Sequence, residues 1–130
     1  MIILCVYIRK FGRSATLNAG ACLRAILSFL EDSEIEDIMK NSDFKKYTDS
    51  TVVDNNKLWK MIKDARKNGF TISYGEIKKH TVAIGVPIFN HNKKVIASIS
   101  IAGPEQRFKK EKLDYFVKKL LKLLKKYLRL

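Results

Sequence analysis

The sequence predicts a single α+β domain over residues 1–130, ordered as a strand, a group of helices, a β-hairpin and a closing helix. Three observations carry that prediction. The chain opens on a β-branched run, and apolar residues then recur at three- and four-residue steps. Past residue 69 the period falls to two, before a long amphipathic finish.

Each element follows from local chemistry. Ile2, Ile3, Val6, Tyr7 and Ile8 make residues 1–8 a strand, which Phe11-Gly12-Arg13-Ser14 breaks. Ala19, Cys22, Leu23, Ile26, Leu27 and Leu30 form one stripe of a helix over residues 18–30, with Thr16 or Asn18 as N-cap. Ser33 with Glu36 reads as a capping box opening a short helix through Met39. Residues 41–51 are polar and read as a loop or turn. A third helix begins near Asn55, buries Leu58, Met61, Ile62 and Ala65, and stops at Gly69.

Residues 70–74 are short and β-prone, 82–89 form a longer apolar run, and 95–101 alternate. Asn90-His91-Asn92-Lys93 between the last two is turn chemistry, so they read as a hairpin. Ala102-Gly103-Pro104 ends it, with Pro104 suited to a helix start. The last helix, about 105–128, places Leu113, Phe116, Val117, Leu120, Leu121, Leu124, Tyr127 and Leu128 on one side and lysines on the rest.

Composition narrows the function. Hydrophobic residues at 46% and charged residues at 30% describe a folded chain rather than a disordered one. The longest apolar run, residues 1–8, falls well short of the roughly 20 residues that span a bilayer. Charges follow that run instead of preceding it, unlike a secretory signal. Two cysteines build no disulfide framework, so a cytoplasmic location is expected. The net charge of +13 is uneven: residues 105–130 hold ten basic side chains against three acidic ones. That lysine-rich helix has three readings: a solvated face, a surface attracting nucleic acid without reading bases, or a helix lying in a membrane plane.

Residues 69–107 carry a resemblance. Gly69-Phe70, Glu76, Val82-Ala83-Ile84-Gly85-Val86-Pro87-Ile88-Phe89, then Ile99-Ser100-Ile101-Ala102-Gly103-Pro104 and Arg107 form an ordered series. Together with Leu17-Asn18-Ala19 before Arg24-Ala25-Ile26-Leu27-Ser28-Phe29-Leu30, it resembles the effector-binding domain of IclR-type transcriptional regulators. The resemblance runs from about Arg9 to the C-terminus and implies a GAF-like antiparallel sheet flanked by helices. It also implies a partial domain without the winged helix-turn-helix, so that DNA is reached only indirectly.

By the same resemblance, the acid group of an effector is held by backbone amides at Ala21 and Cys22, since helix N-termini favour anions. Ser100 matches a pocket hydroxyl, while Ser73 and Ala83 fall where some members place an Asp and a Cys. Ala102, Leu23 and His80 depart from the usual hydroxyl, glycine and glycine. These changes imply a more apolar or smaller pocket than a glyoxylate-type site, suited to an aromatic or branched acid. Glu76 falls beside the pocket rim and reads as a surface residue rather than a ligand contact.

Catalysis is not expected. Cys22 reads as a small buried cysteine rather than a nucleophile, and His80 and His91 have no Ser or Asp at triad-like placement. Asp43, Asp49, Asp54 and Asp64 follow no metal-loop pattern, so neither metal nor cofactor is expected. The functional expectation is a small-organic-acid sensing domain that forms homo-oligomers and does not engage membranes. The alternative is an interaction or oligomerisation module with a vestigial pocket.

Overall fold

In a computed structural model, which describes residues 3–8, 20–41, 46 and 48–127, the chain forms a four-stranded antiparallel sheet with helices on both faces. The strands are β1 (Ile3–Ile8), β2 (Thr71–Tyr74), β3 (Thr81–Phe89) and β4 (Val95–Pro104), in the order β1-β4-β3-β2. The helices are α1 (Ala21–Ser28), α2 (Asp32–Asn41), α3 (Asn55–Asn68) and α4 (Lys110–Tyr127). The α+β class and the hairpin are as expected.

The sheet's two faces differ in side-chain size, and that difference shapes the molecule. Residues paired across an antiparallel sheet project to the same side. One face gathers Val82, Ile84, Val86, Ile88, Ala97, Ile99 and Ile101, which pack with Phe108, Phe116 and Leu120 around α4. Ile84 and Leu120 are fully buried there, each contributing about 1.5–3 kcal/mol relative to exposure. Most of the other face carries small or hydroxyl residues, with Phe89 and Val95 the larger exceptions at one end. Ser73, Ala83 and Ala102 form one cross-strand row, and Thr71, Gly85 and Ser100 the next. Beyond the end of β2, Pro87 faces Ser98 where β3 has lost its neighbour on one side, so the missing N–H breaks no ladder there.

Helix α1 lies on this small-residue face, and α2 and α3 cover it through Ile26, Leu27, Leu30, Ile35, Met39, Leu58 and Ile62. Covered from both sides, α1 buries Arg24 and Ser28 as well as its aliphatic residues, so its expected single stripe is too narrow. Arg66 closes its far end: Nε donates to Ser28 O at 2.7 Å and Nη2 to Leu30 O at 2.9 Å, satisfying carbonyls that a helix terminus leaves free.

Several boundaries differ from the sequence reading. Helix α1 starts at Ala21 with Gly20 as N-cap; Thr16 and Asn18 lie outside the described residues. Helix α2 starts at Asp32, which puts Ser33 inside the first turn, and it runs on to Asn41. β4 continues through Pro104 instead of ending at Ile101, because β3 pairs with it as far as Thr81. Residues Glu105–Arg107 form a 3-10 turn, and α4 begins only at Lys110. Phe108 between them turns into the core, which forces the break. Leu121, assigned to the apolar side, is exposed, while Leu128 lies outside the described residues.

Helix α3 keeps the caps its sequence demands. Asp54 accepts from Asn56 N at 3.0 Å, and Gly69 stops the helix at φ 84°. That dihedral suits glycine, and a Cβ there would meet nothing within 4 Å. Gly69→Ala is therefore expected to cost about 1 kcal/mol from backbone strain alone. Urea unfolding checks this, and an unchanged midpoint would reject it.

Candidate functional site

Small side chains on the α1-facing side of the sheet leave space beside the helix start. A cavity of about 530 Å³ opens there, between the N-terminus of α1, the sheet and the β2–β3 loop. Ala21, Cys22 and Leu23 form its helical wall; Ser73, Ala83, Ser100 and Ala102 form its floor. Ile77, Lys78 and His80 of the loop line the remaining side. All five site residues read from the sequence (Ala21, Cys22, Ser73, Ala83 and Ser100) thus line one space, although they come from α1, β2, β3 and β4.

The approach of α1 to the sheet is set by Gly85. A Cβ built on Gly85 would fall 2.7 Å from the Ala21 carbonyl carbon, and Thr71 Oγ1 donates to Ala21 O at 2.7 Å. The helix begins abruptly. Gly20 provides no capping side chain, and the first helical bond runs from Arg24 N to Gly20 O at 3.1 Å. The amides of residues 21–23 therefore precede the helical ladder and carry the partial positive charge of its end.

The floor offers two unusual groups. Ser73 and Ser100 are only 4% and 3% exposed, and among the described residues neither hydroxyl has a hydrogen-bond partner. Buried hydroxyls are ordinarily satisfied, because leaving one unpaired costs about 1–3 kcal/mol. Neighbouring Ser98 behaves in the ordinary way, donating to Cys22 O at 2.6 Å with Cys22 Sγ 3.0 Å from its Oγ. The Cys22 thiol is thus engaged with Ser98.

Glu76 corrects the sequence reading. It is buried, and its carboxylate meets Arg24 in a two-pronged pair, Nη1 to Oε1 at 2.5 Å and Nη2 to Oε2 at 2.7 Å. Arg24 Nη2 also donates to Ile72 O at 2.7 Å. Thr48 Oγ1 donates to Gly75 O at 2.5 Å, and Thr51 Oγ1 donates to Glu76 O. Glu76 is therefore a brace, tying the loop that walls the cavity to the helix that opens onto it. Two signals could have raised this pair: Arg24 sits among Ala21, Ala25 and Ser28, and Glu76 is the sole acid between Gly69 and Pro104. His80 stands at the rim, largely exposed, with Nδ1 3.4 Å from Glu105 Oε1. Among the described residues, no helix is long and apolar enough to cross a membrane.

Fold and cavity are those expected of the effector-binding domain that the sequence resembles. The chain belongs to the IclR family, matching the bacterial transcriptional regulator IclR C-terminal family over residues 5–127. It is 46% identical over 109 residues to the HTH-type transcriptional regulator KipR of Bacillus subtilis, covering 84% of this chain and 44% of that protein. The chain spans about two-fifths of the length of the curated relatives it matches. Its fold is that of Thermotoga maritima IclR, at a TM-score of 0.84 and 22% identity over 92% of this chain and 57% of that one. It also matches the inducer-binding domain of PobR from Acinetobacter, a double mutant in complex with 3-hydroxy benzoic acid. There the TM-score is 0.76 and the identity 22%, over 88% of this chain and 65% of the other. These relatives are transcriptional regulators, in keeping with the non-enzymatic reading.

Proposed function

We propose that the cavity binds a small organic acid with an apolar, aromatic or branched body, and that this chain is the sensing part of a regulator. The observation that carries the reading is the pair of buried hydroxyls at Ser73 and Ser100, without partners among the described residues, beside the open amides of residues 21–23. The carboxylate sits against Ala21 and Cys22, where the helix end supplies N–H groups and partial charge. Ser100 and Ser73 orient polar substituents on the ligand, and Ala83 and Ala102 leave room for its body. A double mutant of the PobR inducer-binding domain, of the same fold, is in complex with 3-hydroxy benzoic acid, which agrees with this chemistry.

In this reading residues 1–130 act as one effector-binding domain in the cytoplasm. Self-association fits the exposed Tyr74 and Ile77 next to the β2 edge. A bound acid shifts the domain between two packings by its differential affinity for them.

A thermal-shift titration with benzoate, hydroxybenzoates and branched 2-oxo acids tests the proposal. A true ligand at 100 times its Kd is expected to add about 2.7 kcal/mol of stability. Ser100→Ala should weaken it by about 0.5–1.5 kcal/mol, roughly two- to tenfold. No saturable shift with any acid would instead favour an interaction module with a vestigial pocket, and an unchanged affinity in Ser100→Ala would remove that hydroxyl from the site.

A further inference from the structure

We propose that the exposed face of α4 is a docking surface for the phosphate backbone of duplex DNA, engaged without reading its sequence. The inference goes beyond the cavity reading and does not depend on what the cavity binds.

The helix has two unlike sides. Phe116 and Leu120 are buried against the large-residue face of the sheet, while Lys118, Lys119, Lys122 and Lys125 are exposed. Past Asp114 the helix has no acidic residue, and among the described residues none of these four lysines is ion-paired. Lys119 instead lies 5.4 Å from the centre of the exposed Tyr115 ring. Lysines 118 and 122 stand four residues apart, a spacing at which like charges repel and weaken an isolated helix. The chain therefore concentrates cation on a face that gains nothing from it internally. Lysines 118–125 span about 10 Å of helix axis at 1.5 Å per residue. Duplex DNA presents a negative charge about every 1.7 Å of its own axis, so several phosphates lie within reach.

Lysine heads on flexible stems neutralise phosphate as point charges and carry no fork for base edges. A membrane surface is the weaker match, because an in-plane helix must offer its apolar stripe to lipid, and Phe116 and Leu120 are committed to the core. The family's relatives are helix-turn-helix regulators, so duplex is a neighbour already implied by the chain's kin.

The test is fluorescence anisotropy of the 130-residue chain with labelled duplexes of two unrelated sequences, between about 50 and 200 mM salt. A triple variant, Lys118→Glu with Lys122→Glu and Lys125→Glu, is compared with Lys57→Glu, Lys60→Glu and Lys63→Glu on α3, an equal change in net charge. Binding is expected to be equal for both sequences and to fall steeply with salt. The α4 variant should weaken it about tenfold or more and lower the salt slope by about 2.7, at 0.9 per phosphate contact. The α3 variant should leave it nearly unchanged. The corresponding Lys→Gln set on α4, with helicity confirmed by circular dichroism, should lower the slope likewise. Equal weakening by the α3 and α4 sets, absence of binding at the lowest salt, a clear sequence preference, or tighter binding to vesicles of anionic phospholipid than to duplex would each overturn the proposal.

Discussion

Replacing Arg24 by Met is expected to destabilise the domain by about 3–5 kcal/mol, the range for leaving one member of a buried ion pair without its partner. Arg24 and Glu76 are 1% and 3% exposed, and the guanidinium satisfies both carboxylate oxygens and the Ile72 carbonyl. Glu76→Gln should lose less than Arg24→Met, since an amide retains one acceptor for Arg24. The double variant Arg24→Met with Glu76→Leu should recover much of the loss, because similar-sized apolar side chains then fill the space without a stranded charge. Urea unfolding of the wild type, Arg24→Met, Glu76→Leu and the double variant forms a double-mutant cycle. Additive losses would show that the pair does not couple, and the brace between α1 and the β2–β3 loop would have to be abandoned. Because that loop walls the cavity, the Arg24 variant should also bind acids more weakly at temperatures where it remains folded.

The second large effect is expected at Gly85. A methyl group there meets the Ala21 backbone, which cannot rotate aside as a side-chain tip would. Gly85→Ala should cost about 1–3 kcal/mol as overpacking, and Gly85→Val more. Helix α1 must lift from β3 to make room, and lifting breaks the Thr71–Ala21 bond and moves the amides of residues 21–23. Loss of acid binding out of proportion to loss of stability is the expected signature. A Gly85→Ala protein with unchanged melting temperature would show that α1 sits further from the sheet than described.

Much of this was legible in the sequence, for identifiable reasons. The alternation Ala97-Ser98-Ile99-Ser100-Ile101-Ala102 sorts large from small side chains by face, and the stop at Gly69 is a local rule. The site residues came from resemblance, because Ala21 and Ser100 are 79 positions apart in sequence and only topology joins them. The Arg24–Glu76 pair escaped for the same reason: 52 residues separate its members, and a lone glutamate in a loop reads as solvated. The start of α4 was misplaced because Phe108 draws the chain inward, a tertiary demand that helix propensity does not encode. The start of α1 was misplaced because its N-cap is Gly20 rather than a hydroxyl or amide residue.

The fastening of α1 has a mechanical consequence. Arg24 and Thr71 hold its opening turns, and Arg66 grips its last carbonyls. At eight residues it is a strut of about 12 Å, too short to bend. A load at its amide end would be passed along the strut to α3, the element bearing Arg66, instead of being absorbed by softening around the cavity.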